Sequence, residues 1–264
     1  MSAPVLAKAL RDHRRGVAGW SVGLLCLLLL EGALWPSVRD MTGMDELLAG
    51  YPEPLQELFD LEAMSTGVGF LNAELFTLVL PALFIVFGIS RGAQSVAGEE
   101  ERGTLELLVV TPMSNTRLLI EKAAGLVAAV LALGAALFIA TMLSSALFDL
   151  RVPVASGLAG AAALSGLGVE FGCVALAAGA ATGRRGVAVV VSAVAAVAAY
   201  VLYVAGLLVA DVGDWSGWSP FHQALSGGPL GRELPGSSAW LLLGAVAVVA
   251  ASAPVFARRD VRHV

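Results

Sequence analysis

Side chains able to do covalent chemistry are few in this sequence, and they are scattered. His13, His222 and His263 fall in flanks or loops, where each is expected to be solvated. No Ser/His/Asp set, HExxH motif or pair of intramembrane aspartates appears. Cys26 and Cys173 both lie inside apolar runs, where a small buried or lipid-facing residue is the ordinary role and no metal-ligand spacing is present. Gly98 and Gly103 are spaced like the outer glycines of a phosphate-binding loop, and Thr104 follows. Such a loop needs Lys directly after its second glycine; here Thr takes that place, and Glu99, Glu100 and Glu101 would repel a phosphate. The chain is therefore expected not to be an enzyme and to carry no catalytic residue, cofactor or metal of its own.

Three further carboxylates are conspicuous because apolar residues surround them. A carboxylate near the middle of a bilayer costs on the order of 2.5 to 3.5 kcal/mol on insertion scales. Glu31 and Glu74 fall near the outer ends of their apolar runs, where they read as hydrated rim groups or as an outer portal. Glu170 falls near the middle of SGLGVEFGCVALAAGAATG. It reads as a structural hydrogen bond between helices, or as a polar contact in a translocation path or dimer seam. Gly168 and Gly172 beside it have the small-xxx-small spacing that lets membrane helices approach closely.

The elements that would hold these groups follow from hydropathy. Charged residues are 14% of the 264 and hydrophobic residues 58%, with a mean hydropathy of +0.82. Soluble domains have about 25% charged residues, so much of this surface faces something other than water. A span needs about 20 apolar residues. Six stretches qualify, at about 17–35, 70–90, 119–147, 154–181, 187–210 and 238–257. They lack the alternation of barrel strands and are expected to be helices. The predicted fold is a single all-α integral membrane domain, 1–264. The basic N-terminus followed by an apolar run reads as a retained first span and not as a cleaved signal, because the run carries Glu31 and ends in Trp35-Pro36 without a small-residue cleavage site.

Lys and Arg set the orientation. With the N-terminus inside, the inner segments hold 13 of the 16 basic residues, and the outer ones hold only Arg39, Arg151 and Arg232. Both termini are thus expected in the cytoplasm. Residues 4–16 place Val5, Leu6, Ala9 and Leu10 opposite basic residues, as an amphipathic interfacial helix would. Residues 36–69 form a long acidic outer loop whose Leu55, Leu58, Phe59 and Ala63 repeat at helical spacing. Residues 211–237 carry Trp215, Trp218, Pro220 and Phe221, and read equally well as a re-entrant hairpin or as a loop anchored by tryptophan.

The cytoplasmic segment 91–118 and the start of the next span read RGAQSVAGEEERGTLELLVVTPMSNTRLLIEK. Acidic residues suit a helix N-terminus, Thr111-Pro112 stops that helix, and Ser114 or Asn115 can cap the next. A half-apolar helix exposed to water needs a partner surface. The string VAGEEERGTLELLVVTP, followed by LLIEKAAG, resembles the cytoplasmic loop of ABC-2 type permeases, the membrane subunits of ATP-binding-cassette exporters. The turn Gly179-Ala180-Ala181-Thr182-Gly183-Arg184-Arg185 and the segment from Ser219-Pro220-Phe221-His222 to Gly228-Pro229-Leu230 agree with it, the latter resembling permeases of antibiotic exporters.

The resemblance implies a bacterial plasma-membrane permease of type V architecture with a cytoplasmic coupling helix. It implies two partner ATPase subunits holding the ATP and Mg, and a second permease copy, as homodimer or heterodimer. Glu99, Glu100, Glu101, Arg102, Gly103, Thr104, Leu105 and Glu106 become the coupling residues, with Arg117 and Lys122 flanking the helix that transmits the motion. A lipophilic or amphipathic substrate, such as an antibiotic or drug, is expected. Membrane lipid is the surrounding partner, and nothing points to nucleic acid. Two alternatives stand beside this reading: a mechanotransmitter relaying ATPase motion to an extracytoplasmic partner, and a secondary transporter using Glu170.

Overall fold

The computed structural model describes residues 4–40, 65–103, 114–226, 228–230 and 236–258. Those residues are helical, and no strand occurs among them. In chain order the helices are α1 (Pro4–Arg39), α2 (Gly67–Leu71), α3 (Val79–Ser95), α4 (Ala97–Glu101), α5 (Asn115–Phe148), α6 (Val154–Thr182), α7 (Arg185–Leu208), α8 (Ala210–Ser216), α9 (Pro220–Leu225) and α10 (Ser238–Arg258). α2 runs directly into a π-helical turn, Asn72–Phe76. Five helices are long and apolar enough to cross a membrane; α2 with its π turn and α3 form a sixth candidate span, bent by 43°. This is a multi-pass membrane protein.

The segment expected as an interfacial helix, 4–16, is helical but is not a separate element. It continues without a break into the first span, which itself runs past Trp35-Pro36 to Arg39. Nothing in Arg14-Arg15-Gly16-Val17 interrupts the hydrogen-bond ladder, and Gly16 is the point where the guanidinium of Arg91 lies against the helix in the place of a side chain. The helix predicted for residues 55–63 lies outside the described residues.

The bend in the second span has an identifiable cause. Pro81 cannot donate to the carbonyl four residues back, at Thr77, and its ring would collide with it. The chain breaks there, with Leu78 at φ −134°, ψ −54°. Before the break the turn widens. The Thr77 amide donates to Asn72 O at 3.0 Å and its hydroxyl donates to the same oxygen at 2.9 Å, so the carbonyl is satisfied inside the bilayer.

α6 is the central element: 72% of its apolar stretch is buried, against 22% for α7 and α10. Its composition explains this. Gly168 and Gly172 face Gly88 and Gly92 of α3, and the carbonyls of Gly168 and Gly172 occupy the positions where side chains on Gly88 and Gly92 would begin. A side chain on Gly172 would meet Gly88 O at 3.0 Å, and one on Gly168 would meet Phe84 O at 3.1 Å. The two backbones touch, which replaces the missing hydrophobic drive with dispersion and weak C–H···O hydrogen bonds. α5 joins α1 by a similar device, with Ser144 Oγ donating to Leu28 O at 2.7 Å beside Gly32.

One end of the bundle gathers basic residues, among them Arg91, Arg102, Arg117, Lys122, Arg184 and Arg185. The opposite end is closed by α8 and α9. After leaving α7 the chain doubles back: Ser216 packs on Gly206, and Ser219 Oγ donates to Ala199 O at 2.7 Å. Nine residues of helix separate Ala199 from Leu208, so the hairpin descends about 13 Å beside α7. Phe221 then sits 5.2 Å from Tyr200 and 6.0 Å from Phe171, ring to ring. The chain rises again to Leu230, whose amide and carbonyl both bond the buried side chain of Asn72, at 3.0 and 2.8 Å. The described residues of 211–237 therefore fold back against α6 and α7.

Gly88→Val is expected to destabilise the bundle by about 1–3 kcal/mol, the usual penalty of overpacking, because backbone blocks the new side chain. Gly23→Ala, in open space, should stay within about 0.5 kcal/mol. Thermal unfolding in detergent, followed by thiol-dye reaction of buried Cys173 with exposed Cys26 changed to Ser, measures both.

Candidate functional site

At the basic end the sequence turns sharply twice between the second and third spans. α3 ends at Ser95, whose hydroxyl donates to Arg91 O at 2.7 Å. The Arg91 guanidinium covers the ring of Phe87 at 5.2 Å from its centroid. Val96 turns the chain, and its carbonyl accepts the amides of Glu99 and Glu100 at 3.1 and 2.9 Å to start α4. α4 stops at Gly103, whose φ of +67° is readily reached only without a side chain, and whose amide donates to Glu100 O at 2.9 Å.

The three glutamates of α4 point in different directions. Glu99 is 6% exposed and meets Lys122 Nζ, 3% exposed, at 2.6 Å. This joins α4 to α5. Removing either partner of such a buried pair costs about 3–5 kcal/mol, because the other charge is left in an apolar site. Glu101 reaches the other way: its carboxylate accepts the backbone amide of Arg185 at 2.8 Å. That amide opens α7, where an anion also complements the helix dipole. Arg102 is exposed, and its guanidinium lies against the Gln94 side-chain amide, whose oxygen is assigned toward it because the opposite orientation would set donor against donor. Arg117 sits on the first turn of α5, capped by Ser114 as expected, and pairs with Glu121 at 3.0 Å. Thus Lys122, read from sequence as a flank of the transmitting helix, is in contact with the acidic triplet. Thr104, Leu105 and Glu106 lie outside the described residues.

Two of the candidate carboxylates of the span bundle, Glu31 and Glu74, are near enough to interact electrostatically, and Glu170 is not among their partners. Glu31 is on α1 and Glu74 in the π turn, both at the end opposite the basic one. Glu170 faces α10, where a side chain on Gly244 would meet its Oε1 at 2.8 Å. Its Oε2 is buried without a hydrogen-bond partner among the described residues. No group of three His, Cys, Asp or Glu among those residues is arranged to hold a metal ion. His13, expected to be solvated, is instead 8% exposed; it belongs to the continuous α1 and not to a free flank. His222 lies 6.3 Å from Tyr203, ring to ring. His263 is outside the described residues.

Sequence reasoning missed Asn72 and the burial of Lys122. The first had a signal, a lone amide inside the apolar run Gly-Phe-Leu-Asn-Ala. The second had none, because a lysine about two turns into a helix, at the end of a charged run, normally reads as its wet end.

Glu170→Leu separates the two readings of that residue. With no partner to lose among the described residues, the chain is expected to be unchanged or more stable by about 1 kcal/mol, as when a buried charge yields to an apolar residue of similar size. A drop of several degrees in the unfolding midpoint would show that the carboxylate ties helices together.

A comparison with curated proteins found no match. A family model described as ABC-2 family transporter protein matches residues 3–213, from the start of α1 into α8 and including the acidic segment at the basic end. That stretch covers most of the chain and the elements that place α4 against α5, α6 and α7. The chain belongs to the ABC-2 family of membrane transporter proteins.

Proposed function

We propose that this protein is the membrane-spanning permease subunit of an ATP-driven exporter in a bacterial plasma membrane. Membership of a permease family supports a transport role, and permeases of that family generally pair with an ATPase subunit. The observation that carries the mechanism is the buried Glu99–Lys122 pair, which fixes a short acidic helix to the base of the bundle. By the excess of Lys and Arg, that end faces the cytoplasm, with both termini. An ATPase can reach it there.

In this reading the segment 99–106 is the coupling element. Two copies of the chain, as a homodimer, sit on two ATPase subunits, which bind the ATP and Mg. ATP binding biases the ATPase pair toward closure, and the coupling segments convert that bias into a preference for one arrangement of the spans. A ligand shifts such an equilibrium only through its differential affinity for the two states. No covalent chemistry falls to this chain. Glu31, Glu74 and Glu170 are the polar groups available to a translocation path. Glu170, without a partner among the described residues and retained at an energetic cost, is the strongest of the three. The apolar surroundings fit a lipophilic or amphipathic substrate, such as an antibiotic or drug.

Affinity purification in mild detergent should bring down a chain with ATPase motifs and no spans. Replacing Leu105 and Glu106 together by Ala is expected to reduce that recovery at least about tenfold, equivalent to about 1.4 kcal/mol, while the permease still inserts. Equal recovery from both forms would refute the coupling assignment.

A further inference from the structure

Read from sequence alone, the acidic triplet is a face offered to a partner. The structure ties two of its three carboxylates to neighbouring helices, Glu99 in a buried site and Glu101 in an exposed one. Glu99 is consumed by Lys122 of α5, and Glu101 by the first amide of α7. A third contact involves no charge: a side chain on Gly179, near the basic end of α6, would lie 3.2 Å from Ala97 Cβ, so α4 rests directly on the α6 backbone. The adjoining turn is tied as well, through Arg102 and Gln94.

We infer that α4 is not a separately moving peg but is fused to the basic-end turns of α5, α6 and α7, so that force applied to it reaches three spans at once. Glu99 is then a buried positioning residue, while Glu101 braces the start of α7 from the exposed side.

The size of α4 requires this. Five residues make little more than one helical turn, and isolated helices shorter than about 12 residues are marginal in water. α4 therefore owes its persistence to docking. The docking contacts are of three kinds and reach three helices: a buried ion pair to α5, close packing to α6, and a carboxylate at the N-terminus of α7. The ion pair is the stiffest. Sliding α4 away from α5 would pull Glu99 from Lys122 in a site only 3% exposed, whereas moving the two together keeps the pair.

The test is amide hydrogen exchange of the full chain in nanodiscs. Lys122→Met and Glu99→Gln should each speed exchange at the Glu99 and Glu100 amides about a hundredfold, the opening expected when a buried pair is broken. The charge swap, Glu99→Lys with Lys122→Glu, should recover most of the protection. Unchanged exchange in the single variants, or a swap no better than the worse of them, would overturn the inference.

A second measurement does not depend on tolerating a stranded charge. With Cys26 and Cys173 replaced by Ala, Ala97→Cys with Gly179→Cys should form a disulfide under mild oxidation, since the 3.2 Å Cβ separation need open only slightly to reach the about 3.5–4.5 Å of one. If α4 and α6 move as one body, the oxidised permease in complex with its ATPase keeps the ATP hydrolysis and efflux of the reduced form. Failure to cross-link, or loss of the cycle on oxidation with recovery on reduction, would show that α4 moves against α6. The cycle measurement rests on the transport reading; exchange and cross-linking do not. Should no ATPase accompany the purified chain, that reading fails, while the exchange rates and the cross-link still decide whether α4 is fused to the bundle.

Discussion

Hydrocarbon gives helices no reason to associate by burying apolar surface, because lipid tails are as apolar as leucine. What joins this bundle must be closeness of approach and the satisfaction of polar groups. The meeting of α3 with α6 supplies the first, through Gly88 and Gly92 against Gly168 and Gly172. With bulkier residues the two backbones would stand apart, each carbonyl would lose the glycine it rests on, and α6 would leave the centre. Every other span is placed relative to that pair. α10 lies on α6 where Gly166 accepts Leu241, α5 meets it where Gly134 accepts Ser165, and the α8–α9 hairpin meets it at Phe171.

Polar satisfaction follows the same economy. Serine and threonine hydroxyls turn back onto helix carbonyls, as Thr141 and Ser165 do on Leu137 and Ala161. Asn72 spends both atoms of its amide on the backbone of Leu230. The bent second span is tolerable in lipid because the hydroxyl and amide of Thr77 share one carbonyl acceptor. Glu170 departs from this economy. Its Oε2 is buried without a hydrogen-bond partner among the described residues, as are Trp35 Nε1 and Arg91 Nε.

The spans were legible because each is a long apolar run closed by charge or by a turn residue. The third and fourth are bounded by Ser114, Asp149, Pro153 and Gly183, each a residue with a capping or stopping chemistry. Five of the six runs are each one long helix among the described residues, and Pro81 divides the other in a way hydropathy averages over. The join of residues 4–16 to the first span was not legible, since amphipathic and apolar periodicity change there without any breaker. At the basic end, the sequence singled out the acidic triplet and not which way its members face. Glu99, Glu100 and Glu101 are chemically identical, and only the turn at Val96 and the arrival of α5 and α7 assign one to Lys122 and another to the Arg185 amide. The glycine seam had the right spacing on each of its two helices, at Gly88 and Gly92 and at Gly168 and Gly172, but spacing names no partner helix.

The uninterrupted α1 has a mechanical meaning. Its 36 residues make a rod about 54 Å long, whereas the hydrocarbon layer is about 30 Å thick. Part of the rod must stand beyond the hydrocarbon. A hinged interfacial helix would absorb a tilt of the first span within the headgroups. A stiff one turns the same tilt into lateral travel at its tip, in proportion to the overhang. Because Arg91 lies against Gly16 near the foot of that overhang, the second span can act as its fulcrum.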